Sequence, residues 1–113
     1  MHELSIVLNI VDIADEQAKS HAAKRIDSIE LEIGSLAGVE MDALLFAWDV
    51  AVPGTVLEKT ERIIHQVPAI ARCMDCGNKF EARQLFESCP ACGEYLSELL
   101  QGKELRVKSL VLS

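Results

Sequence analysis

The chain has 113 residues, half of them hydrophobic but only five aromatic, and a formal net charge of −7. That length makes one domain of ordinary size, or a small one carrying a smaller one, around a mainly aliphatic core. No apolar run approaches the ~20 residues needed to cross a bilayer, and the acidic balance argues against a nucleic-acid reader, which needs a basic face to displace counterions.

The charge is unevenly spread. Residues 1–68 hold five Lys/Arg against twelve Asp/Glu, residues 69–103 four against five, and residues 104–113 two against one. The start, Met1-His2-Glu3 followed soon by Asp12, Asp15 and Glu16, has neither the basic opening nor the apolar stretch of a signal peptide. With cysteines expected to stay reduced, this points to the cytoplasm.

The first residues offer a short chelate: an α-amine, a peptide nitrogen and the imidazole of His2. Nickel(II) and copper(II) favour square-planar or tetragonal nitrogen sites, so this donor set discriminates between metals in a way that thiolates do not. A bulky second residue also keeps Met1 in place. A solvated terminal histidine is the plainer reading of the same residue.

Helical spacing of Leu4, Val7, Leu8, Val11, Ala14 and Ala18 predicts a first helix from about Ser5 to Ala22, with those residues on its core face. Asp12, Asp15 and Glu16 fall on a solvated face, and His21 stands at the carbonyl end of the helix dipole. Strict alternation over Asp27–Ile33 predicts a half-buried strand. After a loop bracketed by Gly34 and Gly38, residues Glu40 to about Val50 read as a second amphipathic helix, stopped by Pro53-Gly54. Leu44, Leu45, Ala47 and Trp48 are its core candidates, Trp48 doubling as a candidate interaction surface. A second strand is expected from Glu58 to Val67; His65 within it reads as a strand histidine rather than a ligand.

Two knuckles follow, Cys73-Met74-Asp75-Cys76-Gly77 and Cys89-Pro90-Ala91-Cys92-Gly93, giving C-x2-C-x12-C-x2-C. This is the spacing of a closed tetrahedral zinc site, with each Cys-x-x-Cys turn aiming two sulfurs at one point. The glycine after each second cysteine suits a left-handed residue. Disulfide pairs or a four-thiol redox switch are the alternatives, the latter requiring depressed thiol pKa values and access. A module of about 35 residues is short for apolar burial alone, so metal would supply folding energy.

The closing segment, Glu104–Leu112, reads as a strand too short to fold by itself, so it should pair with the earlier ones. The expected architecture is α+β: residues 1–68 and 104–113 form a domain of two helices on a sheet of roughly three strands, and residues 69–103 form an inserted zinc-ribbon-like domain. No Ser/His/Asp grouping, phosphate-binding loop or paired-carboxylate pattern points to catalysis.

Met1-His2-Glu3-Leu4-Ser5, Leu31-Glu32-Ile33-Gly34-Ser35-Leu36, Gly38-Val39-Glu40 and Lys108-Ser109-Leu110, together with the knuckle pair, resemble the HypA/HybF family of hydrogenase maturation proteins, which deliver nickel. The resemblance spans essentially the whole chain. It implies that His2 is the nickel ligand, aided by Met1 and nearby backbone nitrogens, with Glu3 and Glu40 supporting the site. It implies a zinc site at Cys73, Cys76, Cys89 and Cys92, so the cofactors expected are transferable Ni(II) and structural Zn(II). The partners implied are a maturation GTPase and the large subunit of a [NiFe] hydrogenase, with urease served by some relatives; nucleic acid and membrane are not expected, and the chain should be a monomer or weak homodimer. Glu40 also has a plainer reading, as a carboxylate at a helix start. Without nickel delivery, the chain would be a zinc-ribbon adaptor or a nucleic-acid module.

Overall fold

The computed structural model describes residues 2–113; Met1, expected above to support nickel, lies outside the described residues. The order of elements is α1 (Glu3–Ser20), β1 (Ile26–Gly34), α2 (Met41–Ala51), β2 (Glu61–Val67), β3 (Ile70–Cys73), β4 (Lys79–Glu81), β5 (Ser97–Gln101) and β6 (Leu105–Leu112). The strands make two three-stranded sheets, β2-β1-β6 and β4-β3-β5. This is the α+β class expected, and the second sheet is the zinc-ribbon-like part.

The first helix begins two residues earlier than its spacing predicts and ends at Ser20, not Ala22. The stop is a Schellman arrangement: the Ala23 amide donates to the Ala18 carbonyl (2.9 Å), the Ala22 amide to that of Lys19 (3.2 Å), and Ala22 takes the left-handed φ of 52°. Such a residue is usually glycine, and an alanine there gives no stop signal in the sequence. The buried face is also turned from the one expected: Ile6, Val7, Ile10, Ala14 and Ala18 are buried, while Leu4 and Leu8 are exposed. The helix is apolar over more than one stripe, so periodicity alone gave no unique phase.

In β1, Ile29, Leu31 and Ile33 are buried as alternation requires. On the other side, Glu30 accepts from the Ser109 hydroxyl (2.6 Å), and Glu32 pairs with Arg106 (2.6 Å). Arg25 and Ser113 bond at one end of the β1–β6 pair and Gly34 and Glu104 at the other, so these strands run antiparallel. The Thr60 hydroxyl meets the Ile26 carbonyl at 2.8 Å and the Ser35 amide the Val67 carbonyl at 2.9 Å. β1 and β2 are therefore parallel, with α2 as the crossover. The second strand starts at Glu61 rather than Glu58, because amides of Thr55, Glu58 and Thr60 close successive turns on Val52, Thr55 and Leu57.

The chain forms two compact units: one contains the chain up to Leu31 with Val39–Ile64 and Val107–Ser113, the other Glu32–Gly38 with His65–Arg106. In the first, α1 and α2 pack together, and Leu44, Ala47 and Trp48 are buried from α2. The Arg62 guanidinium lies 5.5 Å from the centre of the Trp48 ring, a cation–π pair over a core residue. In the second unit the apolar cluster is small, consisting of Ala69, Ala71 and Ala82 with the partly buried Leu36, Phe80 and Leu99. Such a cluster buries little area, so the module needs another source of order.

Candidate metal centres

The two knuckles fold alike. In the first, the Gly77 amide donates to the Cys73 carbonyl (3.0 Å) and the Cys73 amide to the Asn78 carbonyl (2.9 Å). In the second, the Gly93 amide donates to Cys89 and the Cys89 amide to Glu94, both at 2.8 Å. Gly77 and Gly93 take φ of 76° and 82°, the left-handed conformation expected of them.

All four sulfurs lie within 4.8 Å of one another, with Cys73 and Cys89 buried and Cys76 and Cys92 exposed. The Cys73–Cys92 and Cys76–Cys89 separations are 3.5 and 3.7 Å, far beyond a disulfide bond of about 2.05 Å. They match the edge of a tetrahedron whose centre is about 2.3 Å from each sulfur, roughly 3.8 Å, so the donor set fits a zinc-like ion. The Asn78 amide reaches the Cys89 sulfur at 3.8 Å.

The electrostatics of the thiols is divided. Burial pushes Cys89 up, but the amides of Cys92 and Ala91, with Cys76 and Asn78, outweigh it and hold the thiol down at about 6. The Glu94 amide pulls Cys92 down, yet the Cys73 sulfur, burial and the other two sulfurs push it up to about 12. Cys73 is lowered, chiefly by the Cys76 amide. Cys76 is raised: the Asn78 amide lowers it, but burial and the Cys89 sulfur prevail. Four sulfurs this close cannot all ionise without a cation among them. A four-thiolate cage would leave a bound ion no open position, so such an ion would order the chain rather than activate water.

At the other centre, His2 is the N-cap of α1, extended at φ −91°, ψ 95°, and its side chain makes no capping bond. Its carbonyl accepts from the Ile6 amide at 3.2 Å, while its imidazole is exposed. Glu3, in the first turn, accepts the Glu40 amide at 3.1 Å. This bond, followed by its own amide and by His2, holds its carboxyl below the ordinary value. Glu40 is the N-cap of α2 and accepts the Asp42 amide at 3.4 Å, the plainer reading of that carboxylate. The structure thus brings the backbone amide of Glu40 to the carboxylate of Glu3, the residue after His2. Among the described residues, only the four cysteines gather three or more ligand side chains closely enough to hold a metal.

The other candidates have ordinary surroundings. The His21 ring lies 2.9 Å from the Gln17 carbonyl, at the C-terminal end of α1. Asp15 pairs with Lys19 at 2.9 Å, His65 is half-buried in β2, and Trp48 belongs to the core. The Arg62–Trp48 pair and the Glu3–Glu40 bond are contacts that no local spacing announces.

Fold and site together define a small α+β metal-binding protein with a paired-knuckle four-cysteine centre. Residues 1–112 match the family model described as "Hydrogenase/urease nickel incorporation, metallochaperone, hypA", and the chain belongs to the HypA family. It is 48% identical over 112 residues to the hydrogenase maturation factor HypA of Parabacteroides distasonis, covering 99% of this chain and 97% of that one. The corresponding protein of Geotalea daltonii is 41% identical over 112 residues, covering 99% of both. In fold, the chain is similar to the solution structure of the Ni metallochaperone HypA from Helicobacter pylori, with a TM-score of 0.68 and 24% identity over 99% and 97% of the two chains. Among the described residues no helix is long and apolar enough to cross a membrane.

Proposed function

We propose that this chain carries nickel: it takes up Ni(II) at its N-terminus and passes it to a [NiFe] hydrogenase during maturation, or to urease. His2 is the proposed ligand, with terminal and backbone nitrogens completing a tetragonal set. Glu3 and Glu40 support the site. The observation that carries this reading is the 3.1 Å bond from the Glu40 amide to the Glu3 carboxylate, which ties the start of α2 to the residue that follows an exposed histidine. A carboxylate held by a backbone amide next to the ligand would offer negative charge to a bound cation without having to coordinate it. Exposure favours exchange, since imidazole and amide nitrogens can be surrendered one at a time to incoming ligands.

In this reading residues 1–68 and 104–113 form the nickel domain and residues 69–103 the zinc domain. Zinc on Cys73, Cys76, Cys89 and Cys92 maintains the module. The proposed partners are the GTPase of the maturation pathway and the hydrogenase large subunit, in the cytoplasm, and no catalytic step is assigned to the chain itself.

The test is a calorimetric nickel titration of zinc-loaded, untagged protein and of His2→Ala. About one nickel per chain, lost in the variant, is expected. Equal binding by both would remove His2 from the site, and binding by neither would leave a zinc-stabilised adaptor.

A further inference from the structure

The two helices carry an apolar surface that the core does not use. Leu4, Leu8 and Val11 recur at i, i+4 and i+7 on α1, a stripe turned about a quarter of the way round from the buried one. Leu4 is 50% and Leu8 47% exposed. On α2, Phe46 and Val50 stand at i and i+4, off the buried Leu44, Ala47 and Trp48, and are 71% and 62% exposed. Single exposed apolar residues are ordinary, but repeated ones at helical spacing on two adjoining helices mark an interaction face. The helices pack on each other and begin at the same place, where the Glu40 amide meets Glu3.

What lies around these stripes selects the occupant. Asp12, Asp15 and Glu16 continue the solvent side of α1, and Asp42 and Asp49 that of α2. The only basic side chain on either helix is Lys19, whose ammonium is 2.9 Å from Asp15. An apolar face rimmed by carboxylates repels an acidic partner, and a second copy of this chain would bring the same carboxylates against it. Apolar residues at i, i+4 and i+7 call for a complement with helical periodicity.

We infer that the exposed face of α1 and α2 is a docking surface for a basic amphipathic helix of a partner protein, its apolar side laid on Leu4, Leu8, Phe46 and Val50 and its Lys/Arg residues against the acidic rim. The transfer reading above supplies the reason for a partner to come, since the face begins at the His2 end of α1. The two fail separately, because nickel binding by the isolated chain does not involve this face.

The test uses the full zinc-loaded chain, labelled with nitrogen-15, and a synthetic amphipathic Leu/Lys peptide of about 18 residues, long enough to hold a helix. A Leu/Glu peptide of the same pattern is the control. The Leu/Lys peptide is expected to shift amides of residues 4–12 and 42–50 and to bind at least about tenfold more weakly when salt rises from about 0.1 to 1 M, where screening shortens to about 3 Å. Leu8→Ser with Phe46→Ser should weaken it at least about tenfold while the circular dichroism and the nickel titration stay as in the parent. Asp12→Asn with Asp49→Asn, which leaves both stripes intact, should weaken it and flatten the salt dependence. Shifts confined to other residues, or equal binding of the Leu/Glu peptide, would overturn the inference. So would concentration-dependent shifts of the same amides without peptide, which would make a second copy the occupant.

Discussion

The backbone amide of Glu40 donates to the carboxylate of Glu3 at 3.1 Å, joining the first turn of α1 to the cap of α2 across 37 positions of sequence. One carboxylate thereby takes an amide that α2 leaves unpaired at its start, the Glu40 side chain takes another from Asp42, and both negative charges stand where helix dipoles favour them.

This bond makes stability depend on acid. The Glu3 carboxyl is held below its ordinary 4.5, first by the Glu40 amide. A lowered folded-state pKa means that the stabilisation is fully present above about pH 4.5 and is lost as pH falls through the lower folded value. Glu3→Gln should therefore lower the thermal midpoint at neutral pH, with the gap to the parent closing in acid. A gap unchanged down to about pH 3 would show that the charge on Glu3 is immaterial.

Ala22 stands where glycine is usual, at a φ of 52°. A left-handed alanine is strained by about 1–2 kcal/mol, and the extra freedom of glycine in the unfolded chain returns part of that. Ala22→Gly should stabilise the protein by about 0.5–1 kcal/mol in urea denaturation. A lower midpoint would mean that the alanine side chain has a use not evident at this exposed turn.

The second unit contains two glycines with no room for a side chain. A Cβ on Gly102, at φ 122°, would lie 2.5 Å from both Cα and Cβ of Ala69; one on Gly34 would lie 2.0 Å from the Gly102 carbonyl oxygen. These obstacles are mostly backbone, so rotamer changes give no relief. Gly102→Ala and Gly34→Ala should each lower stability by more than about 2 kcal/mol or leave the chain unfolded. Parent-like midpoints would show that the segments can part.

Metal removal should affect the knuckles out of proportion to their length. Their apolar cluster has three buried alanines with Leu36, Phe80 and Leu99 partly buried against them, and an ion held by four thiolates would add the order that so small a core does not supply. Cys73→Ser or Cys89→Ser should lower zinc affinity at least about 100-fold, or about 2.7 kcal/mol, in a competition titration with a chromogenic chelator. Stripping the metal should collapse the amide dispersion of residues 70–101 while helical ellipticity from α1 and α2 persists. Retained dispersion would make the metal a passenger.

What could be read directly from the sequence was local. The Cys-x-x-Cys-Gly repeats announce four sulfurs around one point because a two-residue gap and a left-handed glycine nearly determine a knuckle, and distant packing adds little. Met1-His2-Glu3 and the matching interior segments announced the family in the same way. The alternation of Ile29, Leu31 and Ile33 gave β1, and Glu40 marked the start of α2. The decisions left to the tertiary structure depend on what lies opposite in space. Several stripes of α1 are apolar, so only packing against α2 and the rest of the folded unit could select Ile6, Val7 and Ile10 over Leu4 and Leu8. Ala22 ends a helix without a stop residue, and the chain just beyond it is tied to Ser113 by the amides of Lys24 and Arg25. Arg62 over Trp48, Gly102 against Ala69 and the amide of Glu40 on Glu3 join positions 14 to 37 apart, where periodicity carries no information. Short-range geometry wrote the Cys-x-x-Cys knuckles into the sequence; the setting of Glu3, next to His2, depends on how two helices meet, which only the folded chain decides.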